Sequence, residues 1–383
     1  MMNEQNRAKV IISTVGTSLL TNQINRETER DWFKQLSNHA NLTWDNLPNS
    51  VKEIIEELKF RASEQLKQNN LKKIRQASAE LNGVFGIYDN DLTTGKVDLH
   101  YLIATDTAQG QATAEIVQAF LLQRGLSVNI YTPSGLSTAN TSAFSEGIDQ
   151  LIVWLREEIV KNYRGGYKIY FNLVGGFKSL QGYLNTLAMF YADAIAYIFE
   201  GENSELITIP RLPISIDHSV IEIYKVPLAL MSNGAELSVS EVGGIPESLV
   251  YAVDGVLILS TWGKLFWGEC KDEFLSGDLL EFKGLVYLDS FLQDYKKAKN
   301  PLQRIQLQNT LAKVCCFLEK SGGDTAILRG NNAGGILYDS YTGKYSQYDH
   351  FRVSLNWRVS CVAKEGVLYL RHFGEHDDVN NNP

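Results

Sequence analysis

The sequence predicts an α/β chain in three segments: an open parallel sheet over residues 1–215, a small mixed segment over 216–283 and an α+β segment over 284–383. Three observations predict it. Short β-rich runs alternate with amphipathic helical stretches between residues 97 and 209, as in right-handed parallel βαβ units. A helical stretch over about 23–87 precedes them as an insertion. Turn signals and two-residue alternation mark hairpins after residue 335.

At 383 residues and 44% hydrophobic, the chain is long enough for two or three ordinary cores. No apolar run reaches the roughly 20 residues of a membrane span, and the start has no apolar leader, so a cytoplasmic protein without a membrane partner is expected. Cys270, Cys315, Cys316 and Cys361 show no metal-ligand spacing and read as reduced, mostly buried thiols; neither metal nor cofactor is expected. The net charge of −8 divides unevenly: residues 285–383 carry 12 Lys+Arg against 10 Asp+Glu, or +2, and residues 1–284 carry 24 against 34, or −10. A phosphate-rich partner is therefore expected at the C-terminal part.

A first buried strand, 9–15, ends in Thr14-Val-Gly-Thr-Ser18, a small polar cluster at the strand end where open parallel sheets place ligands. In the insertion, Val51, Ile54, Ile55, Leu58, Leu66, Leu71 and Ile74 recur at helix spacing. Strand 97–104 runs into Thr105-Asp-Thr107; helix 110–124, strand 126–130 and helix 148–163 follow. The next strand-to-helix turn is Tyr170-Phe-Asn-Leu-Val-Gly-Gly-Phe-Lys-Ser179. Its glycines let a ligand approach the backbone, the helix start offers unpaired N–H groups, and Lys178 adds a point charge. It is not a Walker A loop, because Phe177 stands where the glycine before the lysine belongs, and it lacks G-x-G-x-x-G spacing. A phosphate cradle and a tight turn with a solvated lysine fit these residues equally. Strands 194–199 and 206–209 complete the sheet. The polar turns 14–18, 105–107 and 175–179 then share one edge and can form one pocket, although Ser and Thr after a strand are singly more often helix caps.

These turns, with Ala77-Ser-Ala-Glu-Leu81, Tyr197-Ile-Phe-Glu200 and Ile209-Pro-Arg-Leu-Pro213, resemble the CARF domains of type III CRISPR accessory proteins over about the first 215 residues. The resemblance implies a Rossmann-like sheet in a homodimer that binds a cyclic oligoadenylate, expected to be cyclic tetra-adenylate, across its two-fold axis. The implied ligand-binding residues are Thr14, Gly16, Thr17, Ser18, Thr105, Asp106, Thr107, Asn172, Gly175, Gly176, Phe177, Lys178 and Ser179. Relatives that cleave their own activator use the positions matching Ser18 and Lys178.

Residues 240–253 read as a helix interrupted at Gly243-Gly-Ile-Pro246, followed by a strand over 255–260, which suits a winged-helix-like unit over 216–283. Its acidity favours dimerisation or partner docking over reading DNA. Trp262, Phe266 and Trp267 read as core.

Two helices, 290–298 and 302–319, precede a long alternating run. Phe351, Val353, Leu355, Trp357, Val359, Cys361 and Ala363 fall on one side; His350, Arg352, Ser354, Asn356, Arg358 and Ser360 fall on the other. On a straight strand Arg352 and Arg358 lie roughly 20 Å apart, and they converge only if the run folds back near Asn356. An ordinary solvated face fits equally. This two-helix, curved-sheet layout, ending in Arg371-His-Phe-Gly-Glu-His-Asp-Asp-Val379, resembles the RelE/ParE toxin superfamily over about the last 99 residues.

RelE members are metal-independent mRNA interferases that cut mRNA in the ribosomal A site by 2′-OH attack on the adjacent phosphate, whereas ParE members poison gyrase. The resemblance implies Arg358 for transition-state charge, Arg352 for phosphate or mRNA backbone, and His376 or His372 for acid/base work. Ser354 and Asn380 depart from the family's second basic position and its frequent tyrosine. The whole reads as a sensor fused to a ribosome-dependent endoribonuclease. Its expected partners are a second copy, cyclic oligoadenylate and a bacterial ribosome with mRNA in the A site, the ribosomal stalk protein being a further contact. The alternatives are a ring nuclease acting through Ser18 and Lys178, and a transcriptional regulator acting through the winged helix.

Overall fold

The apolar, β-branched run Lys9–Thr14 forms strand β1 at the middle of a six-stranded sheet. In the computed structural model, which describes residues 7–198, 205–329 and 334–383, this sheet belongs to the first of two units, 1–215 and 216–383. Its other strands are β2 (Leu99–Ile103), β3 (Ser127–Tyr131), β4 (Lys168–Asn172), β5 (Ala194–Ile198) and β6 (Leu206–Pro210), in the order β3-β2-β1-β4-β5-β6. β1 to β5 run parallel, as the alternation predicts; β6 pairs antiparallel to β5. A parallel return needs a crossover of about a dozen residues or more, and only residues 199–205 separate these two strands. Phe199 and Glu200 of the quoted motif lie outside the described residues.

The strand order reverses between β1 and β4, so the crevice at their carboxyl ends is the topological switch point of the sheet. The insertion supplies the helices beside it. Helix Asn49–Lys67 buries Val51, Ile54, Ile55, Leu58 and Leu66, and the chain breaks at Asn69, where φ is +53°. Helices Leu71–Ala77 and Ala79–Ile87 follow, the second capped by Ser78.

The second unit holds a three-stranded sheet, β7 (Leu237–Ser238), β8 (Val250–Val253) and β9 (Val256–Leu259), in the order β7-β9-β8. The helix expected over 240–253 does not form. Pro246 and the glycines before it leave turns there, and Asp254 and Gly255, both at positive φ, make the β8–β9 hairpin turn. A five-stranded sheet follows: β10 (Leu285–Tyr287), β11 (Asp339–Ser340), β12 (Asp349–Arg352), β13 (Trp357–Lys364) and β14 (Val367–Glu375), ordered β10-β14-β13-β12-β11. The run read as one strand from residue 351 to 363 is two. It folds back at 353–356, where Val353 N and Ser354 N both donate to Trp357 O.

One hydrophobic core runs through this unit from Ile221 to Phe373, so the expected boundary at 283/284 falls inside packed structure. Buried Gln308 shows why. From helix Pro301–Lys320 it donates to Leu275 O (2.8 Å) and Asp278 O (3.1 Å) and accepts from Leu280 N (2.7 Å). All four cysteines are free and buried, and Trp267 is buried in the same core. Among the described residues no helix is long and apolar enough to cross a membrane.

Candidate functional site

At the switch point the β1 and β4 turns are joined by buried polar groups. Thr14 Oγ1 donates to Gly175 O (2.5 Å), and Gly16 N donates to Glu80 Oε1 (2.7 Å). Ser78 Oγ donates to Glu80 Oε2 (2.7 Å), while Asn172 Nδ2 donates to Ser13 Oγ (3.1 Å) and Glu80 O (3.0 Å). Glu80 and Asn172 are fully buried. A Cβ on Gly175 would lie 2.2 Å from Glu80 Oε1, and one on Gly176, at φ +89°, 2.8 Å from Thr14 Cβ. Only glycine fits either place.

This geometry sorts the expected ligand residues. The Gly16 N–H is already taken by Glu80, so it is not a vacant anion donor. Lys178 and Ser179 are exposed at the start of helix Lys178–Tyr191, whose N-cap Phe177 provides no side-chain cap; the N–H groups of the first helical turn therefore lack a capping side chain, an arrangement that can receive an anion. Thr17 precedes the short helix Ser18–Thr21 and accepts its first backbone bonds. Thr105 and Thr107 stand at the same sheet edge but are buried and hydrogen-bonded to each other (2.9 Å); Thr107 also caps the next helix through Gly110 N. Asp106 is held by Gly135 N (2.9 Å). The side chains of the 105–107 turn are spent on building it.

Beside Ser18 lies a cavity of about 670 Å³ lined by Asn22, Arg75, Asn82, Val174 and Tyr197 among others. Its size and its mixed polar and aromatic wall suit a nucleotide-sized ligand. Ser18 Oγ is buried and has no hydrogen-bond partner among the described residues. Arg75 is braced by Asn82 Oδ1 (2.7 Å) and Asn90 Oδ1 (2.8 Å). Sequence reasoning missed Asn22, Arg75 and Tyr197, and it gave Glu80 no role. Helical periodicity identified the buried face of the insertion and carried no signal about what its other face lines.

In the second unit the hairpin sets Arg352 directly opposite Arg358, with Gly374 beyond, and His350 opposite Ser360, with His372 beyond. Residues directly opposite share a face, and this face is the reverse of the one carrying buried Phe351, Val359 and Phe373. The condition for Arg352 and Arg358 to converge is met by the fold-back. The Arg358 guanidinium donates to Asn380 Oδ1, which also accepts from Tyr341 OH (3.0 Å). Asn380 Nδ2 faces His376 Nδ1 (3.2 Å), and His376 N donates to Asn356 O (2.8 Å), which ties helix His376–Asn381 to the hairpin turn.

The Tyr341 ring meets His350 edge-on at 4.5 Å between centroids. Burial, and then the Arg358 charge, push the His350 pKa below the ordinary histidine value against the opposing pull of Asp339 and Asp349, so its ring is neutral at pH 7. The Arg352 guanidinium makes no ion pair with the described residues.

His372 belongs to a different network. Its Nδ1 donates to Asp294 Oδ2 (2.9 Å), which also accepts from Phe373 N (3.4 Å). With Lys297, Lys299 and Trp357 this pair lines a separate cleft of about 520 Å³. His376 and Arg358 thus stand together, and His372 apart. Tyr341 and Asn380 are the cluster members that sequence reasoning did not select, and His350 it placed on the open side without a task. The alternation that grouped His350 with Arg352 and Arg358 was the available signal.

Two solved structures resemble part of the chain: a point mutant of YafQ from E. coli, with a TM-score of 0.19, and YafQ from E. coli strain BL21(DE3), with 0.18. Each is 16% identical, and the match covers 25% of this chain and 94% of the YafQ chain. Residues 75–212 match the family model described as CRISPR-associated protein (Cas_APE2256). Over that span, which holds Glu80, Arg75, Tyr197 and the Gly175 turn, the chain is similar to a CRISPR-associated protein family.

Proposed function

We propose that this chain is a cyclic-oligoadenylate-activated, ribosome-dependent mRNA endoribonuclease of type III CRISPR defence. The Arg358 cluster carries the reading: a guanidinium, a neutral imidazole, a second imidazole and a phenol gather on one sheet face. Cleavage of RNA by its own 2′-hydroxyl needs a group to take that proton, cations for the charged phosphorane, and a donor at the leaving 5′-oxygen. Neutral His350 has a lone pair for the first task. Arg358 faces the phosphorane, and Arg352 holds the flanking phosphate. His376 serves the leaving oxygen, with His372 as the other candidate.

The similarity over residues 75–212 supports a CRISPR setting for the first unit. There the activator, cyclic tetra-adenylate shared by two copies of the chain, has the Ser18 cavity and Lys178 to meet it. Binding activates only through a higher affinity for the active arrangement. Purified protein added to programmed ribosomes with and without cyclic tetra-adenylate tests this: the expected result is a ligand-dependent cut in A-site mRNA, and its absence sinks the reading.

The buried, unpartnered Ser18 hydroxyl on the cavity supports a second reading, slow degradation of the activator by the first unit. Following cyclic tetra-adenylate over time with wild type and Lys178→Ala decides it; unchanged decay in the variant excludes a role for Lys178.

A further inference from the structure

Arginine has only donors, so the atom of Asn380 that meets Arg358 is its amide oxygen, and the same oxygen takes the Tyr341 hydroxyl. The amide is thereby oriented, and its NH2 faces His376 Nδ1 (3.2 Å). An NH2 group can only donate, so Nδ1 must present its lone pair. Asp377 Oδ1 also lies 2.9 Å from Nδ1 and can only accept, which requires a proton on the same nitrogen. The two contacts exclude each other in one protonation state. The Asp377 side chain is 92% exposed and its pull is weakened by water, whereas Asn380 is held by a charged donor and a phenol. The charged and titratable groups facing His376 are Asp377 on its own helix, Arg358 on β13 and His350 on β12.

We infer that Asn380 is a positioning residue that fixes neutral His376 as the Nε2–H tautomer, so that this ring meets the RNA as a hydrogen-bond donor and not as a base. Its role in RNA cleavage rests on the ribonuclease reading above; the tautomer itself does not. A neutral ring with its proton on Nε2 and its Nδ1 lone pair committed to Asn380 has no free nitrogen to accept the 2′-hydroxyl proton. It donates a hydrogen bond through Nε2 to the leaving 5′-oxygen of the phosphate that Arg358 faces, and Asn380 joins the two groups so that they act on one phosphate. When the ring is protonated, Nδ1 carries a hydrogen, loses the Asn380 bond and donates to Asp377, and Asn380 keeps only Arg358 and Tyr341.

The test is a long-range proton–nitrogen NMR spectrum of the full chain labelled in its histidine rings, at a pH where the ring is neutral, with His376→Gln identifying its signals. The expected result is an unprotonated Nδ1 and a protonated Nε2. Asn380→Asp, whose carboxylate accepts only, moves the proton to Nδ1, and Asp377→Asn leaves the pattern unchanged. A wild-type ring protonated at Nδ1, or one whose tautomer reverses in Asp377→Asn, overturns the assignment. In the ribosome assay Asn380→Asp lowers kcat by about tenfold or more with KM unmoved; a reversed tautomer with unchanged kcat overturns the positioning role. Wild-type protein that cuts no RNA overturns the ribonuclease reading and the catalytic role with it, while the spectrum still decides the tautomer.

Discussion

At the β1 and β4 turns the polar side chains face one another in the interior, whereas around Arg358 they face solvent and reach across from four places in the fold. Glu80, Asn172, Thr14 and Ser78 are buried and bonded to backbone and to each other, with Asn172 Oδ1 left without a partner among the described residues. Tyr341, His350, Arg358 and the His376–Asn381 helix are partly exposed and meet only because a hairpin and a terminal helix bring them together. In the proposed reading the first arrangement is a scaffold whose ligand groups, Lys178 and a helix start, stand at its rim. In the same reading the second has its reactive groups in the contacts themselves. Substitution should therefore register as lost stability in the one and as lost chemistry in the other.

The largest separation is expected for Arg358→Ala. If Arg358 faces the phosphorane as proposed, removing its guanidinium lowers kcat/KM for ribosome-bound mRNA by roughly 10²- to 10³-fold. Thermal unfolding stays near wild type, because Asn380 and Tyr341 remain within reach of water. A melting temperature that falls with the activity would show that this cluster, too, is scaffold.

Acid provides the next test, at the far end of the first sheet. His100 is fully buried against Tyr88, whose hydroxyl also donates to Asp98 (2.9 Å). Burial pushes the His100 pKa down to about 4 against the opposing pull of Asp98, from an ordinary 6.5. The unfolded chain thus takes up a proton that the folded chain refuses. The contribution is whole above pH 6.5 and is lost as the pH falls toward 4, by about 3 kcal/mol. Urea unfolding at stepped pH should show this slope, and His100→Phe should flatten it; equal slopes would remove His100 from the account.

Gly83→Ala probes the scaffold beneath the turns. A Cβ there would lie 1.9 Å from Asn172 Oδ1, and the Asn172 amide cannot retreat without leaving Ser13 and Glu80. Overpacking of this kind costs about 1–3 kcal/mol. Calorimetry should show the loss in the first unit, and cyclic tetra-adenylate binding should weaken with it. An unchanged melting profile would mean that the interior network yields easily and is not a rigid scaffold.

Local patterns made the first sheet legible. β-branched runs, amphipathic helices and Gly175-Gly176 each act within a few residues, and connection rules made the βαβ units parallel, whereas the strand order came only from the structure. Burial of Glu80 was not legible, since nothing near Ala77-Ser-Ala-Glu-Leu81 says that a carboxylate will be roofed by a turn 95 residues later. In the second unit alternation put His350, Arg352 and Arg358 on one face, but the hairpin at 353–356 lacks glycine and proline, so the fold-back carried only the weak turn signal of Ser354 and Asn356. His372 and His376 lie four residues apart in sequence and in separate networks, because β14 ends between them and the chain turns into a helix. Asn380 gained its place from Arg358 and Tyr341, 22 and 39 residues away in sequence, as well as from His376 on its own helix.

The smallest effect expected is also the sharpest division between scaffold and ligand groups. Lys178 is exposed at the start of its helix and makes no ion pair among the described residues. Lys178→Ala should leave thermal unfolding within about 0.5 kcal/mol of wild type. It removes one cation from a phosphate site, so affinity for cyclic tetra-adenylate should fall by roughly tenfold, near 1.4 kcal/mol, and the deficit should shrink as salt is raised and the charge is screened in both proteins. Titration calorimetry at two salt concentrations reads this directly. If affinity is unchanged, the phosphates do not meet this helix start, and the ligand groups must be sought in the Ser18 and Arg75 wall of the cavity instead. If stability falls as well, Lys178 belongs to the interior network, and the distinction between a buried scaffold and a ligand rim fails at the residue that defines it best.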